Sequence, residues 1–180
     1  MVESSLPKYK INHCADGIQR VCFSFLNWDY EGTIGSKGLK IASLETSVKR
    51  DAREAVEFFT EMDYAVNEIW HPTAKDMDDI FEVLEILHLD TKYENQEKIA
   101  KGKFDPKPMY VAFYYSGHGG MMKNFVCMIQ PTRKDAVKRE WDDRLNLYSL
   151  EEKISTRLIG KARTLNVQNY FDCCRSNLIP

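Results

Sequence analysis

Apolar positions fall into two patterns along this chain: short dense runs, and stripes that recur every three or four residues. Arg20–Leu26 (RVCFSFL), Tyr64–Trp70 (YAVNEIW), Met109–Tyr115 (MYVAFYY) and Val167–Phe171 are dense, β-branched or aromatic runs that predict strands. The Met109 run is almost continuously apolar, as for a strand covered on both faces. Phe125–Ile129 is a shorter run and predicts a hairpin partner. Between these runs the period changes. Val48, Ala52, Ala55, Val56 and Phe59 share one face of a helix that Thr46 or Ser47 is expected to cap and that runs to about Glu61. Met77, Ile80, Phe81, Leu84 and Leu87 form a second stripe, opened by Pro72-Thr73 with Thr73 and Asp76 spaced as a capping box. Ser149 and Glu152 offer a similar start for a third helix to about Leu158, which Gly160 ends.

The segments between carry turn and surface chemistry. Gly32, Gly35 and Gly38 mark 28–40 as a loop. Thr91–Pro108 and Pro131–Asn146 read as polar surface connections, and 1–19 as a loosely held polar lead-in to one domain over 20–180. Strands alternating with amphipathic helices predict an α/β fold with a mainly parallel sheet and right-handed crossovers. In such sheets the working crevice lies beyond the carboxyl ends of the strands. Chemistry is therefore expected just after Leu26, Tyr115 and Phe171.

Two of these ends carry reactive groups. Ser116-Gly117-His118-Gly119-Gly120 follows one strand, and Asp172-Cys173-Cys174-Arg175-Ser176 follows another. His118 and Cys174 each stand three residues past an apolar run. If the strands are parallel neighbours, about 4.8 Å apart, loops of equal length bring imidazole and thiol to one rim. An imidazole beside a thiol generates the thiolate and later protonates a leaving amine. The backbone N–H groups of Gly119 and Cys174 are candidates for binding a developing oxyanion.

The segments YYSGHGG and FDCCRS, in this order, resemble the caspase-like cysteine peptidases: caspases, metacaspases and paracaspases. A family Cys signature with a His about 50 residues upstream is a known spacing. SVKRDAREAVEFFTEMDYAV resembles the family's Asp-Ala helix and second strand, so the likeness spans nearly the whole chain. It implies the three-layer caspase-hemoglobinase fold and a cysteine endopeptidase with Cys174 as nucleophile and His118 as acid or base. Asp-x-Cys-Arg is closest to paracaspases and, less closely, metacaspases. Those branches line an acidic S1 pocket with the matching aspartates, here Asp51 and Asp172, which implies cleavage after Arg or Lys. Family members continue into a smaller C-terminal part, whereas this chain ends at Pro180 soon after Cys174. A fragment, a chain completed by a partner, and an inactive interaction module docking through an exposed last strand are the three expectations that this ending raises.

Plainer roles compete for several residues. Asp172 could cap its turn or pair with Arg175, and Asp51 could be a solvated carboxylate among Lys49, Arg50 and Arg53. Cys173 is expected to be a small buried side chain facing away from the cleft, with vicinal oxidation to Cys174 the rival. Some metacaspases use paired aspartates for calcium, but Asp142 and Asp143 do not fit that register and read as a solvated loop. Arg133, Lys134, Lys138 and Arg139 read as exposed loop, and as a self-cleavage site if the chain cuts after basic residues.

Composition then narrows the field. Lys plus Arg number 25 against 27 Asp plus Glu, which argues against a nucleic-acid partner. With 43% hydrophobic and 29% charged residues a buried core is feasible, yet no run suits a membrane span. No glycine-rich phosphate loop follows the first strand, which disfavours nucleotide binding. Cys14, Cys22 and Cys127 share no ligand spacing with His13, His71 or His88, so neither metal nor cofactor is expected. Five cysteines without repeated spacing, and an opening that lacks a secretory pattern, predict a reduced, cytoplasmic domain. Peptides with a basic residue before the cut bond are the expected partners.

Overall fold

The computed structural model describes residues 8–13, 18–30, 42–93, 108–122, 125–128, 150, 152–158 and 165–173. In chain order the elements are β1 (Asn12–His13), β2 (Gln19–Leu26), α1 (Glu45–Glu61), β3 (Ala65–Trp70), α2 (Ala74–Tyr93), β4 (Met109–Ser116), β5 (Gly119–Met122), β6 (Phe125–Met128), a π-helical turn (Ile154–Leu158) and β7 (Leu165–Asp172). β3, β2, β4 and β7 lie side by side, all parallel. β1 adds a short antiparallel pairing at the start of β2. β5 and β6 form the separate hairpin that the Phe125 run predicts. No described helix is long and apolar enough to cross a membrane.

Two helices cover opposite faces. α1 lays Ala55 and Phe59 on Cys22 and Ala112, and Val48 and Ala52 on Leu26. On the other face α2 and the π-helical turn pack Met77, Ile80, Phe81, Leu84 and Ile154 against Val21, Phe23, Phe25, Val111 and Phe113. The Phe113 ring stacks with Phe23, Phe25 and Phe81 at centroid distances of 5.8, 6.1 and 6.2 Å. Central β2 is buried from Val21 through Leu26, so Cys22 and Ser24 meet the α1 side of the core rather than water. Burial pushes the Cys22 thiol up to about 12, leaving it an inert core group.

The helix starts differ from one another. α2 has the expected capping box: the Asp76 N–H donates to Thr73 Oγ1 at 3.2 Å, and the Thr73 N–H donates to Asp76 Oδ2 at 2.9 Å. It continues past Leu87 to Tyr93, into the expected surface connection, because neither Gly nor Pro interrupts it. α1 is not capped by Thr46 or Ser47. Leu44 stands at its N-cap without a side-chain bond, and the Ser47 hydroxyl donates back to the Leu44 carbonyl. The start is held instead by the Leu44 N–H donating to the Trp28 carbonyl at the exit of β2. Val56 is only half-buried, so the buried stripe is Val48, Ala52, Ala55 and Phe59.

Part of the expected loose lead-in is tied down. Tyr9 packs edge-on to Phe23 at 5.4 Å, Lys8 pairs with Asp76 at 3.0 Å, and Asn67 bonds both the N–H and the carbonyl of Lys10. Burial opposes the charged form of Asp76, but bonds from Thr73 and Lys8 outweigh it and hold the carboxyl below its ordinary value. A carboxyl lowered on folding contributes stability above its unfolded pKa, and that contribution is lost as pH falls through the folded value. Thr73→Ala is expected to cost about 1 kcal/mol in urea unfolding at neutral pH. Asp76→Asn should unfold with a flatter acid limb than wild type below about pH 4.

Candidate functional site

The rim at the carboxyl ends of β2, β4 and β7 follows from strand register. Ser116, the last residue of β4, lies opposite Leu26 on one side and Asp172 on the other. The ladder then extends one step each way, with the Asn27 N–H donating to the Ser116 carbonyl and the Gly117 N–H to the Asp172 carbonyl, at 3.0 and 3.4 Å. The three segments expected to carry chemistry are therefore adjacent, and β4 and β7 are the parallel neighbours that the His–Cys reading requires. Between β2 and β4 the winding direction reverses, since β3 lies on one side of β2 and β4 on the other. Sheet crevices open at such a point.

His118 is held on three sides. Its N–H donates to the Tyr30 hydroxyl at 2.8 Å, and its carbonyl accepts from the Tyr115 hydroxyl at 2.6 Å. Its Nε2 lies 2.9 Å from the Ala42 carbonyl oxygen. A carbonyl can only accept, so this contact places a proton on Nε2, and in the neutral ring the lone pair is then on Nδ1. The Tyr30 ring meets the imidazole edge-on, with centroids 4.7 Å apart. Ala42 is anchored in turn by its neighbours, because the Ser43 hydroxyl and Leu44 N–H both donate to the Trp28 carbonyl.

Gly117 makes this packing sterically feasible. Its φ is +156°, and a Cβ there would stand 2.7 Å from both the Tyr115 and Tyr30 hydroxyl oxygens and 2.8 Å from the Asn27 carbonyl oxygen. Tyr30 in turn donates to that Asn27 carbonyl at 3.1 Å. Each hydroxyl proton thus has a carbonyl acceptor, and the 3.5 Å separation of the two hydroxyl oxygens is a packing contact rather than a strong bond. Burial pushes Tyr30 up to about 12 and Tyr115 well above the ordinary tyrosine value, so both stay protonated donors.

The two predicted carboxylates converge on the α1 side of the rim. Asp51, on the first half of α1, accepts from the Ser116 hydroxyl at 2.8 Å through Oδ2. Its side chain is only 12% exposed, so it is not the freely solvated carboxylate that its basic neighbours suggest, although Arg50 reaches Oδ1 at 3.4 Å. Asp172, opposite Ser116, is exposed. Tyr114 is raised above its ordinary value first by burial, then by the charges of Asp172 and Asp51, so both carboxylates stand within electrostatic reach of one phenol.

Cys173 is half-buried and packs against the α2-side core, where its sulfur is close enough to raise Tyr30 and Tyr115 further. It faces away from Asp51, as expected of a small packed side chain. Gly119 is buried and opens β5 opposite Met128. Cys174, Arg175, Cys14, Asp142, Asp143 and the Arg133–Arg139 run lie outside the described residues. Among the described residues no group of three or more His, Cys, Asp or Glu side chains is arranged to hold a metal ion.

No protein-family model and no curated protein matches the chain.

Reading the sequence alone misses Tyr30, Tyr115, Ser116 and Ala42. Ser116 opens the SGHGG motif and Tyr115 precedes it, and their alternation along β4 could have assigned them to opposite faces. Nothing local distinguishes Tyr30 or Ala42, whose roles arise only from contact with His118. Gly117→Ala is expected to destabilise the domain by about 1–3 kcal/mol, as overpacking against fixed oxygens does. Urea unfolding measures this, and Gly119→Ala provides the comparison within the same loop.

Proposed function

We propose that this chain is a caspase-like cysteine endopeptidase domain that cuts after Arg or Lys. The observation that carries the reading is the parallel pairing of β4 and β7 with Ser116 opposite Asp172. His118 and Cys174 each stand two residues beyond that paired position. The Cys174 sulfur attacks the scissile carbonyl carbon, and the thiol proton passes to Nδ1 of His118. That imidazolium then protonates the leaving amine as the C–N bond breaks. Hydrogen bonding of Nε2–H to the Ala42 carbonyl supports this tautomer and steadies the ring when it becomes charged. The N–H groups of Gly119 and Cys174 are the proposed oxyanion donors, and water hydrolyses the acyl-enzyme.

Specificity rests on Asp51 and Asp172. A carboxylate that is mostly shielded from water and already oriented by Ser116 attracts a cationic side chain and penalises an acidic one. The inward-facing Cys173 supports Cys174 as the nucleophile. A nucleophile that must stay a thiol suits the reducing cytoplasm, the proposed location. A second reading, an inactive module that docks to a protein partner, draws on β7. Among the described residues this strand pairs only with β4, and its side chains are half-buried or exposed.

A fluorogenic Arg-peptide assay tests both readings. Wild type should turn over, and Cys174→Ala should lose at least about 10³-fold in kcat. Cys173→Ala should keep most activity. Asp51→Asn should lower kcat/KM for the Arg peptide by about 10- to 100-fold, the effect of removing a charge-assisted contact. A folded wild type that neither cleaves the peptide nor reacts with an Arg-directed electrophile rejects the peptidase reading in favour of the docking module.

A further inference from the structure

We propose that Tyr30 is a positioning residue for His118, setting the imidazole's orientation and tautomer from the exit of the neighbouring strand. This inference rests on the peptidase reading for its catalytic consequence, but its structural content stands on separate contacts. Tyr30 is fully buried in a segment that otherwise reads as a polar, glycine-rich loop. A buried hydroxyl needs partners wherever it lies, so what distinguishes this one is which partners it has. This hydroxyl accepts from the His118 N–H at 2.8 Å and donates to the Asn27 carbonyl at 3.1 Å, joining the segment after β4 to the segment after β2. The same ring lies edge-on to the imidazole at 4.7 Å, so one side chain restrains both the backbone and the ring plane of His118.

The origin of the opposing carbonyl strengthens the case. Ala42, which receives Nε2–H, adjoins Ser43 and Leu44, and both of those residues bond the Trp28 carbonyl. Trp28 and Tyr30 belong to one short segment. The exit of β2 therefore supplies both the clamp on His118 and the anchor for the acceptor that its imidazole meets. Tyr115 also clamps His118, through the carbonyl, but it does so from β4 itself, the strand that leads into the loop. Only Tyr30 ties that loop to another strand through the His118 amide. Without its hydroxyl, the peptide between Gly117 and His118 loses its fixed acceptor, and the ring can rotate away from Ala42.

The test uses Tyr30→Phe in the full chain, which keeps the ring and removes the hydroxyl. With an Arg peptide, kcat should fall about 10- to 100-fold, the scale of a misplaced catalytic group, while KM stays within about two-fold. Nitrogen-15 NMR of the His118 ring should show a single Nε2–H tautomer in wild type and a tautomer mixture in the variant. A wild-type kcat together with an unchanged ring spectrum overturns the proposal. The wild-type protein gives a readout that does not depend on the variant folding. A His118 amide bonded to a buried hydroxyl should exchange with solvent as slowly as the amides of β4, and exchange at the rate of an open loop overturns the proposal. If wild type neither cleaves nor labels, the peptidase reading has failed, whereas the ring spectrum and amide exchange still decide the role of Tyr30.

Discussion

Parallel hydrogen bonding of β4 to both β2 and β7 is the constraint on which the rest of the site depends. Three strands that end at one level deliver Leu26, Ser116 and Asp172 side by side, and the ladder runs on one step through the Asn27 and Gly117 N–H groups. A one-residue slip in either pairing would exchange the two faces of a strand. Ser116 would then turn away from Asp51, and Tyr115 would leave the pocket that encloses Gly117. Side-chain size supports this register, because the large Phe23, Phe25 and Phe113 fill the α2 face while the small Cys22, Ser24 and Ala112 leave room for α1.

From that register the rim divides into two halves of different chemistry. On the α2 side the hydroxyls of Tyr30 and Tyr115 and the carbonyl of Asn27 enclose Gly117, and the two hydroxyls bond the His118 backbone, with the sulfur of Cys173 near both tyrosines. The two tyrosines are buried and stay protonated. On the α1 side Asp51, Ser116 and Asp172 gather negative charge beside Tyr114. Strand alternation keeps the halves apart although their residues are neighbours in sequence: Tyr114 and Ser116 face one way, Tyr115 the other. A closely packed support thus lies beneath a surface that carries the carboxylates.

Much of the fold was legible in the residues, for local reasons. The strand runs were dense enough to identify, the α1 and α2 stripes had helical spacing, and the Thr73–Asp76 box formed as its spacing implied. Those features depend on near neighbours. The α1 cap was not legible, because the start of that helix is held by the Trp28 carbonyl, distant in sequence, and not by Thr46 or Ser47. Tyr9 was read as part of a loose lead-in for the same reason: its packing partner, Phe23, belongs to another element. Residue type left Asp51 open between an S1 carboxylate and a solvated one among basic neighbours, because its partner, the hydroxyl of Ser116, belongs to β4.

Sequence alone determined the alternation of strands and helices, the likeness that singled out His118, Cys174, Asp51 and Asp172, and the expectation that chemistry gathers at strand ends. Each follows from residue type and spacing, which survive without knowledge of the folded shape. Tertiary structure alone decided the order of strands in the sheet and the contact of the His118 imidazole with the Ala42 carbonyl. It also decided the enclosure of Gly117 by two hydroxyls and the contacts of Tyr30 with His118. These are contacts between residues far apart along the chain, and their geometry is set when β2, β4 and β7 align, a cooperative event that no single stretch of residues encodes.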